Sequence, residues 1–136
     1  MQLLETSNQY EFKMFTSGVE VCVRPFYAKE LSQPSINKYV FVYRVKIKNM
    51  TSDDLQLISR EWHIVEEDGT KSSIQGEGVI GKQPFIKSGE DFEYASQAIL
   101  YLPSGIMYGI YKCVNQKTLQ DFDIIIPAFS LDIPSA

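Results

Sequence analysis

Hydrophobic and polar residues alternate with a period of two along most of this chain. Over residues 38–49, Phe41, Tyr43, Val45 and Ile47 fall on one side, and Val42, Arg44, Lys46 and Lys48 on the other. Successive side chains of a strand point to opposite faces, so this pattern predicts a strand with one face buried. Val19, Val21 and Val23 repeat it within 18–26, and Phe92, Tyr94, Ser96 and Ala98 within 91–100. Further strands are predicted over 55–65, which carries Trp62, and over 71–74, 106–114 and 120–133. The intervening stretches have turn chemistry: 49–54 is rich in Asn, Thr, Ser and Asp, and Asp68-Gly69, Ser88-Gly89 and Ser104-Gly105 follow. Residues 28–37 read as a loop. In the last strand Phe122, Ile124 and Ile126 occupy even positions, but Phe129, Leu131 and Ile133 occupy odd ones. A slip of one residue flips every side chain, so a kink or bulge is expected at Pro127-Ala128, of the kind found where a strand crosses between sheets.

No segment has an apolar period of 3.6 sustained over ten residues. Seven to eight short strands predict an all-β fold, an immunoglobulin/fibronectin type III-like antiparallel β-sandwich, with a barrel as the alternative. Residues 1–15 are polar until Phe12 and Phe15 and read as a loose N-terminal tail. The domain is then expected over 16–136.

The stretch Gly76-Glu77-Gly78-Val79-Ile80-Gly81 fits G-x-G-x-x-G. In a dinucleotide-binding unit that string opens a helix whose N-terminus holds the pyrophosphate. Here Lys82-Gln83-Pro84 follows, and a residue before proline is pushed out of helical geometry. The glycines therefore belong to a loop between strands. Two uses of the loop stay open. One is purely steric, glycines meeting the needs of an irregular connection. The other is an anion site for phosphate, pyrophosphate or a nucleotide, built from backbone N–H groups of Gly76, Gly78 and Gly81 with Lys82 adding charge.

Composition narrows the picture. The net charge is −4 and no Lys/Arg tract is present, which disfavours nucleic acid as a partner. No apolar run approaches the roughly 20 residues of a membrane span, and the first residues lack the apolar centre of a signal peptide. A cytoplasmic protein is expected, with no membrane contact. Cys22 and Cys113 lack metal-ligand spacing and are read as reduced thiols, with Cys22 facing away from the core. There are eight Tyr and eight Phe. That surplus exceeds what one small core needs, so part of it is expected at an interaction surface, with Tyr94 and Tyr108 as candidates. Trp62 is expected in the core. Arg60, two residues away on the same face, is a candidate for contacting a partner or for an ion pair with Glu61 or Asp68. His63 is the only histidine and has no second soft ligand near it in sequence, so no metal site is assigned. Glu66, Glu67 and Asp68 read as solvated turn acids, and no set of side chains forms a catalytic constellation.

Taken in order, Arg60-Glu61-Trp62-His63-Ile64, Asp68-Gly69, the Gly76–Gly81 run, Gln83-Pro84, Tyr94-Ala95-Ser96, Gly109-Ile110-Tyr111 and Ile126-Pro127-Ala128-Phe129-Ser130-Leu131 resemble the ApaG domain. The sequence departs from that pattern at Ser88, where the family usually has proline, and at Gln97, where it usually has glycine. The resemblance implies a fibronectin-type-III-like sandwich, a protein-interaction role and an association with cobalt and magnesium tolerance. With no catalytic set among the residues, a non-catalytic binding module with a protein partner and no cofactor is expected. A phosphate-containing ligand at the glycine loop is the alternative function.

Overall fold

A computed structural model of the chain describes residues 10–134. Nine strands occur among them: β1 (Phe12–Thr16), β2 (Val19–Tyr27), β3 (Tyr39–Asn49), β4 (Leu55–Glu66), β5 (Lys71–Glu77), β6 (Phe85–Ile86), β7 (Asp91–Leu100), β8 (Ser104–Asn115) and β9 (Asp121–Asp132). Seven of these are the strands that periodicity predicts. The other two are β6, only two residues long, and β1, which lies in the segment read as a tail. Residues 12–15 are thus not loose but pair with β2, Phe12 opposite Val23 and Phe15 opposite Glu20. Their alternation is hidden because β1 is an edge strand whose Met14 and Phe15 are both exposed. Residues 1–9 of the expected tail lie outside the described residues. No α-helix occurs among the described residues. The 28–37 connection carries two single 3-10 turns, Lys29–Leu31 and Pro34–Ile36.

The strands form two antiparallel sheets. One is four-stranded in the order β1-β2-β3-β7. The other is five-stranded, β5-β4-β8-β9, with β6 also pairing β4. Their inner faces share one core, to which β2 contributes Val19, Val21 and Val23, and β3 contributes Phe41, Tyr43, Val45 and Ile47. Trp62 is 2% exposed. Its ring lies 5.3 Å from Tyr43 of the facing sheet, 5.9 Å from Phe129 and 6.2 Å from Tyr111. These tilted and edge-on arrangements are the favoured geometries of aromatic pairs, and they bind the two sheets at the centre of the molecule.

The phase change in β9 is a bulge. Met107 pairs with Phe129 and Gly109 with Ile126, so Tyr108 alone stands against Pro127 and Ala128. Ile124 and Ile126 before it, and Phe129 and Leu131 after it, are all buried. The strand stays beside β8 on both sides of the bulge and does not cross to the other sheet. Proline is tolerated there because β9 is an edge strand. Opposite, β8 approaches β4 so closely at Gly109 that a Cβ there would lie 2.1 Å from the Glu61 carbonyl oxygen.

Two buried polar residues organise the ends of the sandwich. The Asn49 side chain donates to the carbonyls of Asp53 and Ile86, each at 2.9 Å, and accepts from Thr51 N–H at 3.0 Å. It thereby joins the β3–β4 turn to β6. Glu66 is also buried, and one of its oxygens accepts from the N–H groups of Tyr101 and Leu102, each at 2.8 Å. Glu66 is therefore not a solvated turn acid, because the β7–β8 turn closes over it.

Candidate functional site

The glycine loop joins β5 to β6, and both pair with β4. It bridges the point where β4 itself is irregular, between Leu57 and Ser59. Gly78 N–H donates to the Ile58 carbonyl at 2.7 Å, and the Gln83 side chain donates to the same oxygen at 2.9 Å. Val79 and Lys82 exchange two backbone bonds, of 2.8 and 2.9 Å. Ile80 and Gly81 between them have φ of +42° and +78°, the pattern of a two-residue type I′ turn. Val79 is fully buried and pins the loop to the core. A Cβ at Gly78 would stand 1.9 Å from the Lys82 carbonyl oxygen, so steric need accounts for that glycine. The amides of Gly78, Val79 and Lys82 are used by the chain itself. Those of Ile80 and Gly81 have no partner among the described residues.

Arg60 forms no ion pair with Glu61 or Asp68 among the described residues. Its Nη1 instead donates to the carbonyls of Glu77 at 3.1 Å and Gly78 at 2.8 Å. The guanidinium lies over Gly76, where a Cβ would meet Nη1 at 3.1 Å. Arg60 thus clamps the start of the loop from the inner face, and Gly76 leaves room for it. Asp68 accepts from Thr70 N–H at 2.9 Å, a bond that holds its carboxyl below the usual range.

The two tyrosines separate. Tyr94 does not reach the surface: it belongs to the core, its hydroxyl bonded to that of Tyr111. Burial pushes both hydroxyls above the ordinary tyrosine range, and burial also raises Tyr43. Both thiols are free and buried. Burial pushes Cys22 up to about 11 and Cys113 up to about 12, so neither is a nucleophile at neutral pH. Cys22 points away from the core valines as expected, and the Glu11 side chain lies beside it.

Tyr108 is at the surface, 42% exposed, at the β8 bulge on the outer face of the five-stranded sheet. His63 lies opposite on β4, its ring stacked on Tyr108 at 5.1 Å and its Nε2 2.9 Å from a Glu61 oxygen. Along β8 the outward neighbours of Tyr108 are Ile106 and Ile110. Ile106 is 50% exposed and pairs with Val65; Ile110 pairs with Ile125, itself 43% exposed. Val65, Ile106, Tyr108, Ile110 and Ile125 therefore make one continuous apolar surface across three strands. Exposed patches of this kind, rimmed by polar side chains, mark interaction sites. Sequence reasoning singled out Tyr108 but missed the isoleucines. The signal was the run Ile124-Ile125-Ile126, in which alternation must turn one member outward.

At one end of the sandwich lies a cavity of about 240 Å³ lined by Ser17, Thr51, Asp53, Asp54, Asn115 and Asp121 among others. Asp53 accepts from the Asn115 side chain at 3.1 Å and Asp54 from Ser88 N–H at 2.9 Å, so both carboxylates already serve the turns. No helix among the described residues is long and apolar enough to cross a membrane.

Known proteins resemble this chain along most of its length. The family model of the ApaG domain matches residues 29–115. The Protein ApaG of Mesorhizobium japonicum is 44% identical over 123 residues, 90% of this chain and 94% of that protein. That of Allorhizobium ampelinum is 45% identical over the same shares. Among solved structures, a protein bearing the name ApaA from Bordetella pertussis superposes with a TM-score of 0.83. It is 40% identical, covering 87% of this chain and 95% of that one.

Proposed function

The chain belongs to the ApaG domain family, and from that premise we propose that it is a non-catalytic protein-binding module whose contact surface is the outer face of the five-stranded sheet around Tyr108. The observation that carries this reading is the continuous apolar surface of Val65, Ile106, Tyr108, Ile110 and Ile125. A side chain such as Tyr108, held by a stacked His63, offers large contact area at low entropic cost. The partner is a protein with a complementary apolar face, met in the cytoplasm. Any link to cobalt or magnesium tolerance runs through that partner.

Paired affinity capture tests the reading, with wild type and Tyr108→Asp at matched stability as baits. Tyr108 is half exposed, so the substitution leaves the core intact. Partners held by wild type and lost by the variant are expected. Identical captures would overturn the assignment of the face. Turnover of phosphoesters or dinucleoside polyphosphates by the purified protein, abolished by His63→Ala, would overturn the non-catalytic part.

A second reading keeps the glycine loop as a site for phosphate or pyrophosphate, favoured by the two unengaged amides of Ile80 and Gly81 beside the exposed Lys82. Calorimetric titration with pyrophosphate tests it, and heat equal to dilution alone would remove it.

A further inference from the structure

Among the described residues four strands end the two sheets, β1 and β7 in one, β5 and β9 in the other, with the two-residue β6 continuing the β5 edge. An edge strand carries a row of unpaired N–H and C=O groups and templates pairing with another chain unless it is blunted. Three of the four are blunted. β1 is five residues long and carries Lys13. β9 is bulged and carries Pro127. β5 begins with Lys71, contains Gly76 and exposes nearly every residue. β7 is the least blunted: its only charges, Asp91 and Glu93, sit at its start. It runs for ten residues without Pro, Gly, Lys or Arg, and its register with β3 is unbroken from Lys48↔Asp91 to Tyr39↔Leu100. Its other side pairs with no strand among the described residues.

We propose that this free edge is a self-association surface, on which β7 pairs antiparallel with β7 of a second copy about a twofold axis. Four strands from each copy would then form one continuous sheet of eight. The sequence of β7 is complementary to itself in that arrangement. In an isologous ladder each position meets its mirror position. Centred on Ala95, the outer face sets Asp91 against Ile99, Glu93 against Gln97 and Ala95 against itself. On the inner face Phe92 meets Ala98, and Tyr94 meets Ser96. On the inner face each large side chain meets a small one, and on the outer face no acid meets an acid. Moving the centre to Tyr94 would put two tyrosines face to face; moving it to Ser96 would oppose Phe92 and Leu100. Like charges directly opposite weaken a strand pair and opposite charges strengthen it, so the surface is selective as well as sticky.

The contact is small, a single strand pair, so weak association is expected, with a dissociation constant on the order of 100 µM. Sedimentation equilibrium of the full chain up to about 1 mM reads it directly. Gln97 is exposed and faces Glu93 of the other copy in the proposed register. Gln97→Lys is expected to tighten the dimer and Gln97→Glu to loosen it, each about fivefold because the contact occurs twice. Amides of β7 should gain protection from hydrogen exchange as protein concentration rises. Tyr108→Asp, on the other candidate surface, should leave the dimer constant unchanged. A chain that stays monomeric at the highest concentration would overturn the proposal. So would a dimer indifferent to the charge at position 97, or one dissolved by Tyr108→Asp.

Discussion

At Ile80 the backbone adopts φ +42° in the middle of a two-residue turn. A β-branched residue in the left-handed region is strained, and type I′ turns favour Asn at this first central position. Half of the Ile80 side chain is exposed, so its packing offsets little of that strain. Ile80→Asn is expected to stabilise the protein by about 1 kcal/mol, read as a higher urea midpoint at unchanged slope. Glu66 presents the opposite case, a residue whose polar oxygen the fold cannot lose. Its carboxylate satisfies the N–H groups of Tyr101 and Leu102 where the chain turns from β7 into β8. Glu66→Gln keeps an acceptor there and should fold with nearly native stability. Glu66→Ala leaves both donors without a partner and should cost about 2 kcal/mol. Equal losses for the two variants in chemical denaturation would show that charge, not acceptance, is what the site needs.

Strands β4 and β8 are held at a spacing that only glycine permits at position 109. A methyl group there would sit 2.1 Å from the Glu61 carbonyl and 3.2 Å from the Trp62 Cα. Gly109→Ala must push β8 away from the strand carrying Trp62, and about 3 kcal/mol of destabilisation is expected. The loss would be visible as a lower thermal midpoint with Trp62 fluorescence shifted toward the unfolded value. The strands themselves were legible in the sequence because period-two alternation is strong wherever one face is buried, as in Phe41, Tyr43, Val45 and Ile47. The β9 bulge was legible for the same reason, since a phase change has no other cheap solution. β1 was not, because an edge strand with exposed Met14 and Phe15 leaves no alternation to read. The non-helical glycine loop was legible from Pro84 alone. What Arg60 does there was not, because its partners are the carbonyls of Glu77 and Gly78. Those come within reach only through the register that sets Arg60 opposite Gly76. Tyr94 and Tyr108 looked equivalent in sequence. They differ because even positions on β7 face the core and even positions on β8 face solvent, a choice made by how each strand is paired.

The sandwich as a whole buries an unusual set of protons. Tyr94 and Tyr111 share a hydroxyl–hydroxyl bond in the core, and Cys22 and Cys113 are buried thiols. Burial raises all four above their ordinary values, to about 11 for Cys22 and about 12 for Cys113. In the unfolded chain thiols release their protons near about pH 8.5 and tyrosines near about pH 10. Between those values and the raised folded ones, the folded state binds more protons than the unfolded state, so stability falls as pH rises. The contribution is complete below about pH 8 and erodes in two stages, thiols first and tyrosines from about pH 10. Denaturant midpoints measured from neutral pH upward should show a decline that steepens across the tyrosine range. The double variant Tyr94→Phe/Tyr111→Phe tests the assignment. Replacing both hydroxyls together leaves no unpaired donor, so stability at neutral pH should change little. The steep alkaline limb should flatten, because two of the buried protons are gone. Tyr111→Phe alone leaves the Tyr94 hydroxyl without its bond and should lose stability at every pH. If the double variant unfolds along the wild-type alkaline curve, the paired hydroxyls are not what limits this fold at high pH.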